Sequence, residues 1–191
     1  MEECRLTATD LACRRGERLL FRGLGFALAS GEALQIAGSN GVGKTSLLRI
    51  VAGLLRPFAG LVEREGDIAL LDDRLALDEH RPLGEALAFW ERLDGRAIDT
   101  ERLGLRELLD VPVRYLSTGQ RKRAALARLA TQGAPIWLLD EPLNGLDADA
   151  VRAVEALAAE HCAAGGIALI ASHQPFELAG MTHLTLAEFG A

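Results

Sequence analysis

Lysine is almost missing from this chain of 191 residues: it occurs only at Lys44 and Lys122, and arginine supplies nearly all the positive charge. Each lysine is therefore a position to account for. Cysteine is scarce too. Cys4, Cys13 and Cys162 are too few and too scattered for a disulfide framework or a zinc site, which leaves reduced thiols of the cytosolic kind. No apolar run approaches the roughly 20 residues needed to span a bilayer. The charged opening Met1-Glu2-Glu3-Cys4-Arg5 lacks the apolar stretch of a secretory signal. A soluble protein is expected, with any membrane role acting through a partner. An excess of positive charge is also missing: the formal net charge is -6, against the basic stripe of a general nucleic-acid binder. Repeats, low-complexity tracts and clear linkers are absent.

What is present is the balance of an ordinary folded domain, 49% hydrophobic and 25% charged. The length favours a single domain over residues 1–191, with room for a smaller subdomain. Residues 6–28 read as two or three short strands, with breaks at Arg15-Gly16-Glu17 and Ser30-Gly31. Ala33-Leu34-Gln35-Ile36-Ala37 reads as a buried strand entering a glycine turn. From Lys44 to Leu55 the apolar residues Leu47, Leu48, Ile50, Val51, Leu54 and Leu55 recur at helical spacing, with a stop near Arg56-Pro57. Ile136-Trp137-Leu138-Leu139 and Ile167-Ala168-Leu169-Ile170-Ala171 have the look of buried parallel strands, and residues 120–131 and 149–163 read as helices. This alternation predicts an α/β fold, mainly a parallel sheet with flanking helices.

Gly38-Ser39-Asn40-Gly41-Val42-Gly43-Lys44-Thr45 matches G-x-x-x-x-G-K-[ST] in full, between a predicted strand and a predicted helix. Glycines let the backbone curl so that successive N–H groups point inward at a phosphate chain. The helix N-terminus adds its positive end. Lys44 can reach the β and γ phosphates, and the Thr45 hydroxyl can ligate Mg²⁺. At the end of the Ile136 strand, Asp140 and Glu141 leave the core together. Asp140 can hold the Mg²⁺ hydration shell, and Glu141 can orient and deprotonate an attacking water. The acidic pair is a weak signal alone; beside the phosphate loop it becomes strong.

Leu116-Ser117-Thr118-Gly119-Gln120 lies one helix length before the Asp140 strand. Here the chain resembles the ABC ATPase family, whose signature reads Leu-Ser-Gly-Gly-Gln. Asn144-Gly145-Leu146-Asp147 and Ser172-His173-Gln174 follow in the family's order. The resemblance implies a P-loop NTPase fold of the ABC type, with short N-terminal antiparallel strands and a helical signature subdomain over about residues 74–131. It implies that ATP is bound by Gly38, Ser39, Asn40, Gly41, Val42, Gly43, Lys44, Thr45 and Ser46 of one subunit. Ser117, Gly119 and Gln120 of a second, head-to-tail copy complete the site. Asp147 would lie at the dimer interface, Glu141 would act on the water, and His173 would contact the γ-phosphate.

The chain departs from the family's pattern in four places. Thr118 replaces the middle glycine of the signature. The aromatic residue that stacks on adenine is missing, and Arg15 stands in register with it; a guanidinium plane can stack in its place. Asp73 lies nearest the position of the glutamine that couples Mg²⁺ to the membrane partner. Residues 60–71 are short where the family has a longer antiparallel hairpin.

The compact length, Gly38-Ser39-Asn40-Gly41, Leu24-Gly25-Phe26, Thr45-Ser46-Leu47-Leu48-Arg49 and Leu87-Ala88-Phe89-Trp90 resemble one subgroup, the ATPase subunits of bacterial cytochrome c maturation and haem export systems. The implied partners are multi-spanning membrane permease subunits and a second copy of the chain. The implied location is peripheral, on the cytoplasmic face of the inner membrane. Direct haem binding is not expected, because His80, His161, His173 and His183 show no ligand spacing. Another small exporter is the runner-up. A soluble ABC protein of translation or repair would carry a second ATPase domain or a long insertion, and a regulatory module without turnover would not need Lys44, Asp140, Glu141 and His173 together.

Overall fold

The computed structural model describes residues 3–74 and 76–190. Strands β1 (Arg5–Arg15) and β2 (Arg18–Ala29) form a long antiparallel hairpin, so residues 6–28 hold two strands rather than three. In β1 the inward side chains are Leu6 and Ala8, then Leu11 and Cys13. That change of phase requires an extra residue, because side chains alternate with period two. It falls at Asp10, whose φ is +50° and where the register with β2 shifts.

Strand β3 (Ala33–Ala37) leads through the glycine loop into helix α1 (Lys44–Val51). The helix ends four residues earlier than the apolar spacing predicted. Arg64 donates to the Val51 carbonyl at 2.8 Å, and Gly53 turns the chain at φ +75°. Strand β4 (Ala59–Glu65) pairs with β1, giving a three-stranded sheet of order β2-β1-β4. Strand β5 (Ile68–Leu71) then joins the second sheet, so residues 60–71 do not fold back on themselves.

Helices α2 (Leu83–Asp94) and α3 (Thr118–Thr131) precede β6 (Ile136–Asp140); α4 (Ala148–Ala163), β7 (Ile167–Ser172) and β8 (Thr182–Thr185) follow. The second sheet is parallel throughout, in the order β5-β6-β7-β3-β8. Its central strands β6 and β7 are buried along their whole length, which explains their unbroken apolar runs. Leu6, Leu11, Phe21 and Leu24 of the hairpin share one core with Leu34, Ile36, Leu47, Leu48, Leu138 and Leu169. The register sets Ala37 beside Ser172 and Asp140 beside Ala171, so three strands end at one level. The carboxyl edge of an open parallel sheet is where such folds place their chemistry.

By contacts the chain divides into two compact units. One comprises residues 1–72, 134–142 and 158–191, and holds both sheets; the other comprises residues 73–133 and 143–157 and is mainly helical. Within the helical unit Trp90 donates its indole N–H to the Ala76 carbonyl at 2.6 Å, and the Arg128 guanidinium lies 3.5 Å over the Trp90 ring.

Candidate active site

The loop after β3 is built by its glycines. Gly38, Gly41 and Gly43 have φ of +155°, +80° and +118°. A Cβ on Gly38 would lie 2.9 Å from the Val42 side chain, so the loop closes only without one. Lys44, the first residue of α1, folds back over this loop. Its ammonium donates to the Gly38 carbonyl at 2.6 Å and the Ser39 carbonyl at 3.2 Å, and lies 3.0 Å from Glu141 Oε1. Only 5% of Lys44 is exposed. Thr45 is exposed and Ser46 half-buried; the Ser46 side chain hydrogen-bonds the thiol of Cys13, which burial pushes up in pKa. Arg15, close enough to Cys13 to oppose that shift, is exposed at the end of β1.

Asp140 closes β6 and is buried. Glu141 follows with φ +46°, a left-handed conformation that costs a non-glycine residue on the order of 1–3 kcal/mol. Its N–H donates to the Ala171 carbonyl at 2.8 Å, which holds the turn. The turn carries the carboxylate between two donors. Oε1 meets Lys44; Oε2 accepts from His173 Nδ1 at 2.8 Å and from the His173 backbone N–H at 3.4 Å. Burial alone would raise the pKa of Glu141. The Lys44 and His173 hydrogen bonds outweigh it and hold the carboxyl below the ordinary glutamate value. An ionised carboxylate only accepts, so Nδ1 carries a proton in this contact. The structure thus brings Lys44, Glu141 and His173 together, although 129 residues separate the first from the last in sequence.

The signature residues lie in the helical unit. Ser117 is the N-cap of α3 and forms a capping box with Gln120: Ser117 Oγ accepts from the Gln120 N–H at 3.2 Å, and Gln120 Oε1 accepts from the Ser117 N–H at 2.8 Å. Gly119 is buried where a Cβ would lie 2.2 Å from the Gly145 carbonyl oxygen. Thr118, exposed, sets its side chain beside Gly145. Asp147 caps α4, its Oδ1 accepting from the Ala150 N–H at 2.8 Å. Asp73 is exposed and lies 3.9 Å from the ammonium of Lys122, the other lysine of the chain, which is buried. Of the remaining histidines, His80 and His183 are exposed. His161 is buried, stacked on Trp137 at 3.8 Å, with Nε2 bonded to the Pro135 and Ile167 carbonyls.

Two further side chains reach this locus, Ser172 of the Ser172-His173-Gln174 motif and Gln35, which no motif includes. Gln35 of β3 donates to the Gln174 carbonyl at 2.7 Å, and Ser172 Oγ donates to the same oxygen at 2.9 Å. The one sequence signal for Gln35 is an amide inside an otherwise apolar strand.

The profile of the ABC transporter family matches residues 21–144, which include the glycine loop, the capped Ser117 helix and the Asp140-Glu141 strand end. The chain belongs to the ABC transporter family. It is an ABC ATPase, a nucleotide-binding and ATP-hydrolysing chain. It is 62% identical over 190 residues to a protein of Novosphingobium aromaticivorans named cytochrome c biogenesis ATP-binding export protein CcmA, covering 99% of each chain. A protein of the same name from Zymomonas mobilis is 50% identical over 192 residues, 98% of this chain and 86% of that one. Among solved structures, a putative ABC transporter ATP-binding protein from Pyrococcus furiosus shares the fold with a TM-score of 0.81 at 21% identity, covering 98% of this chain and 100% of that one. Among the described residues of this ABC ATPase, no helix is long and apolar enough to cross a membrane.

Proposed function

We propose that this chain is the ATP-hydrolysing subunit of a bacterial cytochrome c maturation, or haem export, complex, and that it works as a head-to-tail pair bound to membrane permease subunits. The observation that carries the chemistry is Glu141, held ionised between Lys44 and His173 at the carboxyl edge of the parallel sheet. The assignment to this system rests on full-length similarity to proteins with that name.

In this reading the N–H groups of residues 38–46 cradle the phosphates and Lys44 neutralises the β and γ groups. The Lys44 ammonium rests on loop carbonyls and Glu141, and moves to phosphate oxygens, which are better partners for it. Released from Lys44, Glu141 takes the proton of the attacking water, and His173 stays on its other oxygen. Thr45 and Asp140 flank the residues in that 3.0 Å contact and offer only oxygen donors, the set that suits a hard cation. They would hold Mg²⁺, which neutralises phosphate charge. Arg15 would stack on the adenine. From the second copy, Ser117 and the Gly119 N–H would face the γ-phosphate. The capping box uses the Ser117 oxygen as an acceptor and leaves the hydroxyl hydrogen for a phosphate oxygen. Asp147 would lie at the interface, and residues 74–131 would form the helical subdomain that presents the signature. The chain would sit on the cytoplasmic face of the inner membrane, with haem handled by its partners.

The test is purification of the tagged chain from detergent-solubilised native membranes. Recovery with cytochrome c maturation subunits is expected. Recovery with another permease, or in a wholly soluble complex, would keep the ATPase and remove the haem-system assignment.

A further inference from the structure

Strand β3 is the strand that delivers the phosphate loop, and four of its five residues are apolar. The fifth, Gln35, is only 3% exposed. Burying an amide in a parallel sheet is unfavourable unless it is bonded, and an apolar residue would satisfy the strand equally well. Leu34 and Ile36 belong to the shared apolar core, whereas Gln35 faces the other way and spans to the chain emerging from β7. There the Gln174 carbonyl receives two side-chain donors, Gln35 Nε2 at 2.7 Å and Ser172 Oγ at 2.9 Å. A carbonyl oxygen has two lone pairs, so both are taken. Ser172 Oγ also accepts from the Gln174 N–H at 3.0 Å. His173 is the residue bracketed by these bonds.

We infer that Gln35 is a positioning residue for hydrolysis: with Ser172 it clamps the Gln174 peptide and so fixes the His173 ring against Glu141. The inference rests on Glu141 and His173 being the reacting pair. The clamp ties the switch histidine to the strand that carries the phosphate loop, so the water-activating side of the site and the phosphate-holding side share one anchor. If the clamp acts through His173, it governs the rate of the chemical step and leaves nucleotide affinity alone.

The experiment is steady-state ATP turnover and nucleotide binding for Gln35→Met, Ser172→Ala and their double variant, with Glu141→Gln and His173→Ala as controls. Gln35→Met keeps the volume and removes the donor. Loss of one buried donor is expected to lower kcat about tenfold while KM stays within about twofold. The two changes act on one carbonyl, so the double variant should lose much less than the product of the single losses. Gln35→Glu adds a pH-dependent readout of the same donor, to be compared with Gln35→Met, which does not titrate. A buried carboxyl titrates high, and only its protonated form can donate, so its turnover should recover relative to the parent as pH falls. Wild-type kcat in Gln35→Met, or a loss of affinity in step with kcat, overturns the inference while the control variants remain impaired. Unchanged turnover in both controls overturns the reading of the reacting pair, and the inference with it. Should Gln35→Met fail to fold, Ser172→Ala carries the same kcat-against-KM comparison: an unimpaired kcat there overturns the clamp, and a selective loss supports it.

Discussion

The backbone of Gly119 lies against the carbonyl of Gly145, close enough that a Cβ on Gly119 would come to 2.2 Å from the oxygen. Two signals that the sequence shows 26 residues apart, the signature and the loop before α4, are therefore packed on each other. Gly119→Ala forces one backbone to move and is expected to lower stability by about 1–3 kcal/mol, the usual cost of overpacking. Urea unfolding of the variant beside the parent measures this; an unchanged midpoint would mean that the loop yields freely.

Glu141→Gln keeps the shape of the side chain and removes its basicity. Turnover is expected to drop by about 10²- to 10⁴-fold, the usual contribution of a positioned base. ATP binding should persist, and an ATP-loaded dimer should accumulate, visible by size-exclusion chromatography with ATP. Turnover equal to the parent would remove Glu141 from the chemistry.

Lys44→Ala should lose most of the affinity for ATP, read by calorimetric titration. It also removes one of the two side chains that hold the Glu141 carboxylate and leaves His173 on it. Burial then acts with less opposition, and the Glu141 pKa should move up, measurable by NMR titration of the labelled carboxyl. Normal ATP binding by this variant would mean that the loop does not hold phosphate.

His161 gives a pH dependence whose sign follows from its surroundings. Burial lowers its pKa, while the bonds to the Ile167 and Pro135 carbonyls oppose that shift without overcoming it. Below about pH 6.5, the ordinary histidine value, the unfolded chain takes up a proton that the folded chain resists. The stabilisation is therefore fully present above that pH and is lost as pH falls toward the folded value. Denaturation of the parent and His161→Phe at pH 7.5 and 5.5 should show a larger acid loss in the parent. Equal losses would place the acid sensitivity elsewhere.

The sequence disclosed those features whose chemistry requires neighbouring residues. In the proposed reading Gly38 to Thr45 are contiguous because one run of backbone wraps one phosphate chain, and β6 and β7 are legible because strands buried on both faces are apolar throughout. Strand β8 was not legible: Thr182–Thr185 lies at the sheet edge with three of its four residues exposed. Helix α2 follows Pro82 and has no side-chain cap, so the usual start signal is missing. The partnership of Gln35 with Gln174 spans 139 residues, and no local pattern encodes it. The bond by which Asp147 closes the first turn of α4 was equally hidden behind its place in a motif.

Both lysines are buried, Lys44 against the glycine loop and Lys122 beside Asp73, so among the described residues the permanently charged cations at the surface are guanidinium groups. A reagent that acylates lysine amines meets its target only when the fold opens. For most proteins such labelling maps the exterior; here its rate at Lys44 would time the opening of the glycine loop, and slowing of that rate by ATP would report occupancy.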